Sequence, residues 1–347
     1  MIDADELARF TAIPAATGSE EARIAWLEER LSGQPGSLSR DAVGNLVWRF
    51  GGASGSPELL LMAHVDTVFH GVEVIDVVHS DGVLVGPGVG DNAAAVMTVI
   101  WAMSALDSVP PGLAVAFTVG EEGLGNLRGA LHACRSLRPS MAIALEGHHL
   151  DEIVIEHVGS TRARVRMSGP GGHSWADRGT PSAIHALLPI GAALAASGAN
   201  IGTISGGSAV NAIAAEAELL VERRSVDQAE LDAFETEVRG LRVDDPLRVD
   251  CEIVGRRPAG QIQREHPLVR AIVEAHRAFG LPERFEAGST DANAAASFGI
   301  PAVSIGCTRG SGMHTQHERI ELEPLELGVG QLVAVIEALA DPKMSTL

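Results

Sequence analysis

The 347-residue chain contains no tyrosine, only three cysteines, and no apolar run long enough to cross a bilayer. The cysteines, Cys134, Cys251 and Cys307, have no metal-type spacing and fit reduced thiols in a cytosol. The amino terminus, MIDADELARF, is acidic and polar, so no secretory signal is visible there. Together these absences predict a cytoplasmic protein that does not contact a membrane.

Clustered basic residues are also missing from this chain, whose formal net charge is −19. The nearest candidate, Arg162, Arg164 and Arg166, alternates with apolar residues and is better explained as the polar face of one strand. Nucleic-acid binding is therefore not expected. The acidity also argues against an enzyme that attracts polyanionic substrates through its overall field.

The chain is long enough for two domains and a large core, since 46% of its residues are hydrophobic. Strands and helices alternate through about residue 156 and again from 266, which predicts an α/β domain with a doubly wound, mostly parallel sheet. Between these parts, the order βαββαβ predicts an inserted α+β domain of ferredoxin-like type. The expected boundaries are 1–157 and 261–347 for the catalytic domain and 158–260 for the insert.

Two helix starts are predicted beside polar residues. Thr17 and Glu20 are spaced as a capping box for a helix over residues 19–31, whose apolar residues share one face. Asp91 follows a glycine-rich loop and directly precedes the helix-like stretch Ala93 to Leu106. Taken alone, Asp91 is best explained as the N-cap of that helix.

Six acidic and imidazole side chains fall where short apolar runs end. They are His64, Asp91, the adjacent pair Glu121 and Glu122, Glu146 and His314. Runs such as Leu59 to Ala63 have the length and apolar content of strands buried on both faces of a parallel sheet. Sites in open α/β sheets lie outside the carboxyl ends of the strands. The sequence therefore predicts that these side chains meet in one crevice and form a two-metal site.

The adjacent glutamates are the most specific part of this pattern, because one can bind a metal while the other stays free as a base. Paired metals about 3.5–4 Å apart lower the pKa of a shared water and stabilise the developing oxyanion. The free glutamate can then move a proton from that water to the leaving nitrogen. Asp66, two residues after His64, is placed to accept the second imidazole N–H and fix the tautomer. Oxygen-rich ligation with a few histidines predicts two divalent ions, Zn²⁺ first, with Mn²⁺ or Co²⁺ as substitutes.

Seven segments resemble the M20 family of co-catalytic metallopeptidases and amidohydrolases. They are MAHVDTV, GVGDNAAAV, EEGLGNLRGA, GPGGHSW, SAVNAIAAEAELLVERRS, STDANAAASFGIPAVSIG and GMHTQHE. The family includes carboxypeptidase G-type enzymes, tripeptidases, acetylornithine deacetylases and succinyl-diaminopimelate desuccinylases. The resemblance runs nearly end to end and implies hydrolysis of an amide bond in a small peptide or an N-acyl amino acid.

The resemblance implies a role for each matching residue. One metal ion would be bound by His64, Asp91 and Glu146. The other would be bound by Asp91, Glu122 and His314. Asp91 would therefore bridge the two ions, and Glu121 would be the general acid/base.

The insert, which the resemblance implies is a lid and dimerisation domain, carries further candidates. Edge strands in the insert invite pairing into a homodimer. His173 in GPGGHSW would reach the metals either by closure of its own lid or from the lid of a second copy, and the resemblance favours the second copy. Asn211 and Arg224 are mainly hydrogen-bond donors and fit a substrate carboxylate or amide oxygen. Outside the insert, the backbone N–H groups of the STDAN segment are expected to face an anionic substrate end. The residues concerned are Gly288, Ser289 and Thr290.

Three departures from the family pattern leave the subfamily open. Asn92 is closer to the tripeptidase-type branch, and Glu146 is found in the desuccinylase branch. VERRS replaces the usual DxRS, so that Arg224 aligns with the family arginine while Arg223 is adjacent. Exopeptidase and N-acyl-amino-acid deacylase activity remain balanced alternatives. A degenerate, non-catalytic M20-like peptide-binding protein is the alternative from another class, and the retained Glu121 favours an enzyme.

Overall fold

The computed structural model describes residues 2–51 and 55–340, which group into two compact units. One unit comprises the chain up to His157 and from Gly260 onward, and the other is Val158–Ala259. No helix in the described ranges is both long and apolar enough to cross a membrane. All three cysteines lie in these ranges, and each is a free thiol.

The elements are numbered in chain order. Up to residue 157 they are α1 (Ala4–Thr11), α2 (Glu21–Leu31), β1 (Ser37–Arg40), β2 (Leu46–Arg49), β3 (Leu59–His64), β4 (Val78–Ser80), β5 (Val83–Val85), α3 (Ala95–Ala105), β6 (Leu113–Thr118), α4 (Arg128–Leu137), β7 (Met141–Glu146) and β8 (Ile153–His157). Residues 158–259 contain β9 (Gly159–Ser168), β10 (Gly172–His173), α5 (Ala183–Ala196), β11 (Asn200–Gly206), β12 (Ala212–Ile213), β13 (Glu216–Ser225), α6 (Gln228–Arg239) and β14 (Arg248–Arg257). The remainder contains β15 (Gly260–Gln261), α7 (Pro267–Ala278), β16 (Phe285–Gly288), α8 (Ala292–Ala296), β17 (Ala302–Gly306), β18 (Gly310–Ser311), β19 (Arg319–Glu321) and α9 (Pro324–Ala340).

The large sheet of the first unit has parallel strands at its centre, in the order β6-β3-β7-β17. Antiparallel β2 and β1 extend it on one side, and β8 with β15 and β16 on the other. Strands β3 and β6 are buried along their whole length, as expected where both faces of a sheet are covered. The predicted α/β class with a mostly parallel central sheet is confirmed.

Helices cover both faces of this sheet. Leu59, Leu61 and Ala63 of β3 join a core with residues of α1, α2, α3, α7 and α9, whereas Leu60 and Met62 pack with α4 and α8. Burying each leucine or methionine side chain contributes roughly 1.5–3 kcal/mol relative to leaving it exposed. Because β3 is held on both faces, the end of the strand, where His64 lies, has a fixed position.

The second unit is a four-stranded antiparallel sheet in the order β11-β13-β9-β14. Ala163, Val165 and Met167 of β9 pack against the helices α5 and α6 on one face. The chain order of these four strands and two helices is βαββαβ, which confirms the ferredoxin-like fold predicted for the insert. Strand β11 lies at the edge of this sheet, and most of its residues are exposed.

A second, small antiparallel sheet of the first unit, in the order β18-β19-β5-β4, was not predicted. Its strands have two or three residues each, too few to show a period of two in the sequence. Leu84 of β5 pairs with Ile320 of β19. The glycine-rich loop that carries Asp91 follows β5, and the turn that carries His314 connects β18 to β19. This sheet therefore places two of the predicted ligand loops side by side.

Two of the predicted helix starts differ from the structure. The capping box is wrong: Thr17 Oγ1 donates to Asp66 Oδ2 at 2.9 Å, and Glu20 Oε1 accepts from the Gly18 N–H at 2.8 Å. The buried Asp66 carboxylate needs donors, so it takes the hydroxyl that would have capped the helix. The helix after Asp91 begins only at Ala95, behind a distorted turn in which Asp91 itself has non-helical angles, φ −107° and ψ 86°.

Candidate metal centre

The predicted ligands lie at the ends of strands from both sheets of the first unit. His64 ends β3, Glu146 ends β7, and Glu122 lies just beyond β6. Asp91 is on the loop after β5. His314 lies on the β18–β19 turn, with a left-handed φ of 63°, so it does not directly follow the buried strand β17 as the sequence suggested.

Asp91 lies between two groups of ligands. Its Oδ1 is 3.1 Å from His64 Nε2, and its Oδ2 is 2.9 Å from His314 Nε2. His64 Nε2 is also 3.8 Å from Glu146 Oε2, and His314 Nε2 is 3.0 Å from Glu122 Oε1. The structure thus brings all five predicted ligands together as two groups that share one carboxylate.

Asp66 holds more than the histidine for which it was predicted. Its Oδ1 and Oδ2 accept the backbone N–H groups of Glu121 and Glu122, each at 3.0 Å. His64 Nδ1 lies 3.1 Å from the Asp66 backbone oxygen and 3.6 Å from its carboxylate. The backbone carbonyl therefore orients the imidazole, while the carboxylate mainly positions the two glutamates.

Histidines of the cluster are surrounded by negative charge. Burial disfavours the charged imidazole of His64, but the adjacent carboxylates of Asp66, Asp91 and Glu146 outweigh it and raise the pKa well above its ordinary value. Hydrogen bonds to Asp91 and Glu122 raise the pKa of His314 to about 10. Both imidazoles are thus drawn toward the protonated state.

The same environment also favours the protonated state of Glu146, which for a carboxyl is the neutral one. Burial, with smaller contributions from the charges of Asp91 and Glu121, raises its pKa to about 7 against the lowering effect of His64. A buried cluster that makes its histidines basic and resists ionisation of a carboxylate is short of positive charge. Divalent cations supply that charge, and this mixture of imidazole and carboxylate donors suits Zn²⁺, Mn²⁺ or Co²⁺. The side chains therefore fit such ions.

Asp291 is a buried carboxylate to which the sequence analysis assigned no role. Its Oδ2 accepts from Thr118 Oγ1 at the end of β6, and its Oδ1 has no hydrogen-bond partner in the part of the chain that the structure describes. Burial raises the pKa of this carboxyl to about 6. Its position in the sequence could have indicated a role, because in the STDAN segment Asp291 directly follows the predicted substrate-binding residues Ser289 and Thr290.

The backbone of the STDAN segment is only partly available for a ligand. The Thr290 N–H donates to Asn293 Oδ1 at 2.9 Å, and Thr290 Oγ1 accepts from the Ala292 N–H at 3.2 Å. The expectation that the Thr290 N–H faces a substrate anion therefore does not fit, because the start of α8 uses this donor. Gly288 ends β16 and pairs with His157, and Ser289 follows it.

His173 and Asn211 lie in the second unit, where β10 pairs with β12. His173 Nδ1 accepts the backbone N–H groups of Trp175 at 3.2 Å and Ala176 at 3.3 Å. A neutral imidazole with Nδ1 as acceptor carries its proton on Nε2. The exposed Asn211 is next to this turn, since its backbone oxygen accepts from the Ser174 N–H at 3.0 Å.

Arg223 and Arg224 face opposite sides of the second unit's sheet. Arg223 donates to Ser197 Oγ at 2.9 Å, and its guanidinium lies 5.4 Å from the ring centroid of Phe234. Arg224 is half-exposed and donates to Glu222 Oε2 at 3.0 Å. Arg223 is therefore used in packing within the unit, which leaves Arg224 as the better candidate for a ligand.

Comparison with known proteins identifies the family. The model of peptidase family M20/M25/M40 matches residues 60–338. The chain belongs to this family. It is 29% identical over 357 residues to a putative LysW-lysine/LysW-ornithine hydrolase from Thermococcus kodakarensis, covering 99% of this chain and 95% of the relative. It is 26% identical over 329 residues to the uncharacterized protein YqjE from Bacillus subtilis, covering 87% and 86%.

Solved structures of similar fold include two peptidases. A tripeptidase from Staphylococcus aureus superposes with a TM-score of 0.78 at 24% identity, over 97% of each chain. Aminopeptidase PepT from Bacillus cereus superposes with a TM-score of 0.75 at 22% identity, over 97% of this chain and 98% of its own. These likenesses concern the fold. With the family match they confirm the predicted M20 membership and the assignment of the chain as a hydrolase.

Proposed function

We propose that this chain is a dinuclear metallo-hydrolase that cleaves the amide bond of a short peptide or an N-acyl amino acid. Asp91 carries the proposal, because its two carboxylate oxygens face His64 and His314 separately. A carboxylate so placed can bind two cations at once. The complete ligand set, of which His64, Asp91 and Glu122 are buried, gives no support to a degenerate, purely binding protein.

Each ion would have three protein ligands. One set is His64, Asp91 and Glu146. The other is Asp91, Glu122 and His314. Two divalent ions, with Zn²⁺ as our first choice, would lower the pKa of a water and polarise the scissile carbonyl when bound.

Glu121 is the proposed general base. It is buried beside Glu122, and its backbone N–H is fixed by Asp66 Oδ1 at 3.0 Å. Its carboxylate would accept the proton of the attacking water and donate it to the leaving nitrogen. Asp66 therefore fixes the backbone of both the proposed base and the proposed ligand through their adjacent N–H groups.

His173 is the proposed oxyanion donor. Because Trp175 and Ala176 occupy its Nδ1, the Nε2–H is the group it offers to a substrate oxygen that becomes negative. Asn211 and Arg224 would bind the substrate's carboxylate or amide oxygen. The exposed edge strand β11 favours pairing with a second copy, and in the resulting homodimer His173 of the partner subunit would serve the metals.

The proposed substrate is small and carries a free carboxylate. The names of the similar proteins, a tripeptidase, an aminopeptidase and a lysine/ornithine hydrolase, support a small amide substrate. The net charge of −19 gives no support to nucleic acid as a partner. We also propose a cytoplasmic location, in keeping with the three free thiols.

A substrate panel tests this function. The protein is freed of metal with a chelator, restored with Zn²⁺, Mn²⁺ or Co²⁺, and given dipeptides, tripeptides and N-acyl amino acids. The matched controls are the same compounds with an amidated carboxyl end. We expect turnover only after metal is restored, and a large loss with the amidated compounds. A protein that holds two ions and cleaves no member of the panel would overturn the proposal, as would full turnover without metal.

A further inference from the structure

Glu318 is a fully buried carboxylate that holds the loop carrying Asp91. Its Oε2 accepts the Gly88 N–H at 2.7 Å. Its Oε1 accepts the N–H groups of Gly90 at 3.1 Å and of Asp91 itself at 2.8 Å. A buried carboxylate is stable only while its donors stay in place, and hydrogen bonds to a charged acceptor are strong. The carboxylate and this loop conformation therefore depend on each other.

The same side chain connects this loop to two others that carry proposed ligands. His148 Nε2, on the segment that follows Glu146, lies 2.7 Å from Glu318 Oε1. The backbone oxygen of Glu318 accepts the Gly86 N–H at 2.9 Å, at the point where the Asp91 loop leaves β5. Glu318 itself follows the turn that holds His314. One carboxylate thus joins the loops of three proposed ligands.

The loop packs closely against Glu318 and His148. A Cβ on Gly90 would collide with His148 Nε2 and lie 2.8 Å from Glu318 Oε1. Next to it, Asp91 and Asn92 have backbone angles that the following helix does not impose. Contacts from outside the helix must therefore hold this loop, and Glu318 accepts three of its N–H groups, one of them from Asp91.

We propose that Glu318, supported by His148, is a positioning residue for the bridging carboxylate. It fixes the backbone of Asp91 so that one carboxylate oxygen faces His64 and the other faces His314. The inference rests on the proposed two-metal function and assigns Glu318 no contact with metal or substrate. Because Asp91 belongs to both ligand sets, loss of Glu318 should weaken both ions together.

Glu318→Gln is the informative variant, because both carboxylate oxygens already accept N–H groups. An amide of nearly the same size would turn its own N–H₂ toward a backbone donor. Asp41 provides a matched control: its Oδ1 accepts the N–H groups of Val43, Gly44 and Asn45 at 3.0, 3.1 and 3.0 Å. Asp41→Asn makes the same chemical change in a turn that holds none of the proposed ligands.

The experiment measures metal affinity on the full chain. Metal-free wild type, Glu318→Gln and Asp41→Asn are titrated with Co²⁺, followed by its visible absorption, while far-UV circular dichroism reports the fold. For Glu318→Gln we expect the half-saturating concentration of both ions to rise roughly 10–100-fold, the usual cost of losing a residue that orients a ligand. The Co²⁺ spectrum should also change. Asp41→Asn should keep the wild-type affinities and spectrum.

Wild-type affinities and spectrum in folded Glu318→Gln would overturn the positioning role, as would an equal loss of affinity in Asp41→Asn. A wild type that binds no ion would instead overturn the proposed function, so the two failures are distinguishable. If Glu318→Gln does not fold, the variant His148→Ala tests the proposal instead. It removes the contact of His148 with Glu318 and leaves the three backbone N–H groups that donate to Glu318. There we expect a loss on the order of 10-fold, at the lower end of that range, and unchanged affinities would contradict the proposal.

Discussion

The two units use charged side chains in opposite ways. On the face of β9 away from the helices, each arginine pairs with a glutamate on a neighbouring strand. The pairs are Arg162 with Glu222, Arg164 with Glu252 and Arg166 with Glu218, at 2.8 to 2.9 Å. In the first unit, carboxylates that are buried or only slightly exposed gather around two histidines near the strand ends. They are Asp66, Asp91, Glu121, Glu122 and Glu146.

The difference shows which charges serve function. The arginine–glutamate pairs neutralise each other, and partly exposed pairs contribute little to stability. In the described part of the chain, the cluster holds five carboxylates against two imidazoles, and the buried guanidinium of Arg23 donates to the backbone oxygens of Thr11, Ile13 and Val65 rather than to these carboxylates. An uncompensated buried charge is costly. It is therefore the cluster, and not the larger number of paired surface charges, that points to bound cations.

The largest effect is expected from removing the bridge. Asp91→Ala takes a ligand from both ions, so both should be lost and activity abolished, whereas His314→Ala should mainly empty one site. Elemental analysis of the purified variants, beside wild type, measures this directly. If Asp91→Ala retained two ions, the proposed ligand sets would be wrong. The buried cluster would then no longer differ from the surface pairs as the part of the molecule that binds cations.

The next largest effect separates the base from the ligands. Glu121→Gln keeps the size of the side chain but removes the proton acceptor, so turnover should fall by roughly 10²–10⁴ or more. The metal content should stay unchanged, because no ligand is altered. Elemental analysis and turnover are measured on the same sample. Near-normal turnover would transfer the role of base to another residue, with Glu122 the first candidate.

A smaller loss, ~10²–10³ in turnover, is expected for His173→Ala, the usual cost of removing one oxyanion donor. Metal content should not change. Mixing His173→Ala with Glu121→Gln subunits tests whether the histidine works across a dimer. A mixed dimer should regain one working site, with Glu121 intact in one chain and His173 in the other. If subunits exchange and no activity returns, His173 does not act across the dimer.

Removing the metals should make stability depend on pH in a defined direction. In the metal-free protein the pKa of His314 is raised to about 10 and that of Glu146 to about 7. Both raised values mean that the folded chain binds more protons than the unfolded chain, so stability falls as pH rises. For Glu146 the loss begins near the unfolded value of about 4.3, and for His314 it runs from about 6.5 to 10.

Bound metal requires deprotonated ligands, so the stabilisation it provides should grow over the same pH range. Thermal unfolding with and without chelator, from pH 5 upward, measures the gap between the two melting temperatures. We expect this gap to widen as pH rises, and His314→Ala to reduce the widening above about pH 6.5, the ordinary imidazole value. A gap that narrows with rising pH would contradict the electrostatic account of the cluster.

The sequence predicted the fold and the site best where an apolar run followed by an acidic or imidazole side chain recurs along the chain. The apolar runs that became β3, β6 and β7 are buried on both faces, so their unbroken apolar content and their polar ends were readable, and His64, Glu121 and Glu146 followed from them. The four strands of the small sheet are too short for such a pattern. The pairing of β5 with β19 that joins them into one sheet spans more than 230 positions, between Val85 and Arg319.

Competition for hydrogen bonds explains the other differences. Thr17 was expected to cap a helix and instead donates to Asp66, and the Thr290 N–H was expected to face a substrate and instead donates to Asn293. In both cases the donor was identified correctly from the local sequence, but it hydrogen-bonds to a different acceptor from the one expected. Glu318 is the last residue of the motif GMHTQHE, but the backbone N–H groups that donate to it lie about 230 residues earlier in the chain. Only the three-dimensional structure shows such partners.

The smallest effect should come from the paired charges of the second unit. Glu235 accepts from Arg256 at 2.6 and 2.7 Å and from Arg239 at 2.9 Å, chiefly Arg256 lowering the pKa of this carboxyl to about 2. Because the two arginines are largely exposed, Glu235→Gln should cost less than about 1 kcal/mol. Exposed Glu237 on the same helix provides the control variant Glu237→Gln.

The sign of the pH dependence follows from the lowered pKa of Glu235. Its contribution is present above the unfolded value of about 4.3 and is lost as pH falls toward about 2. Urea unfolding should therefore show wild type slightly more stable than Glu235→Gln at pH 7, with the two curves converging in acid. Metal content and turnover should match wild type throughout. A loss of metal or activity like that of Asp91→Ala would mean that the surface pairs are coupled to the site, and the contrast between the two units would fail.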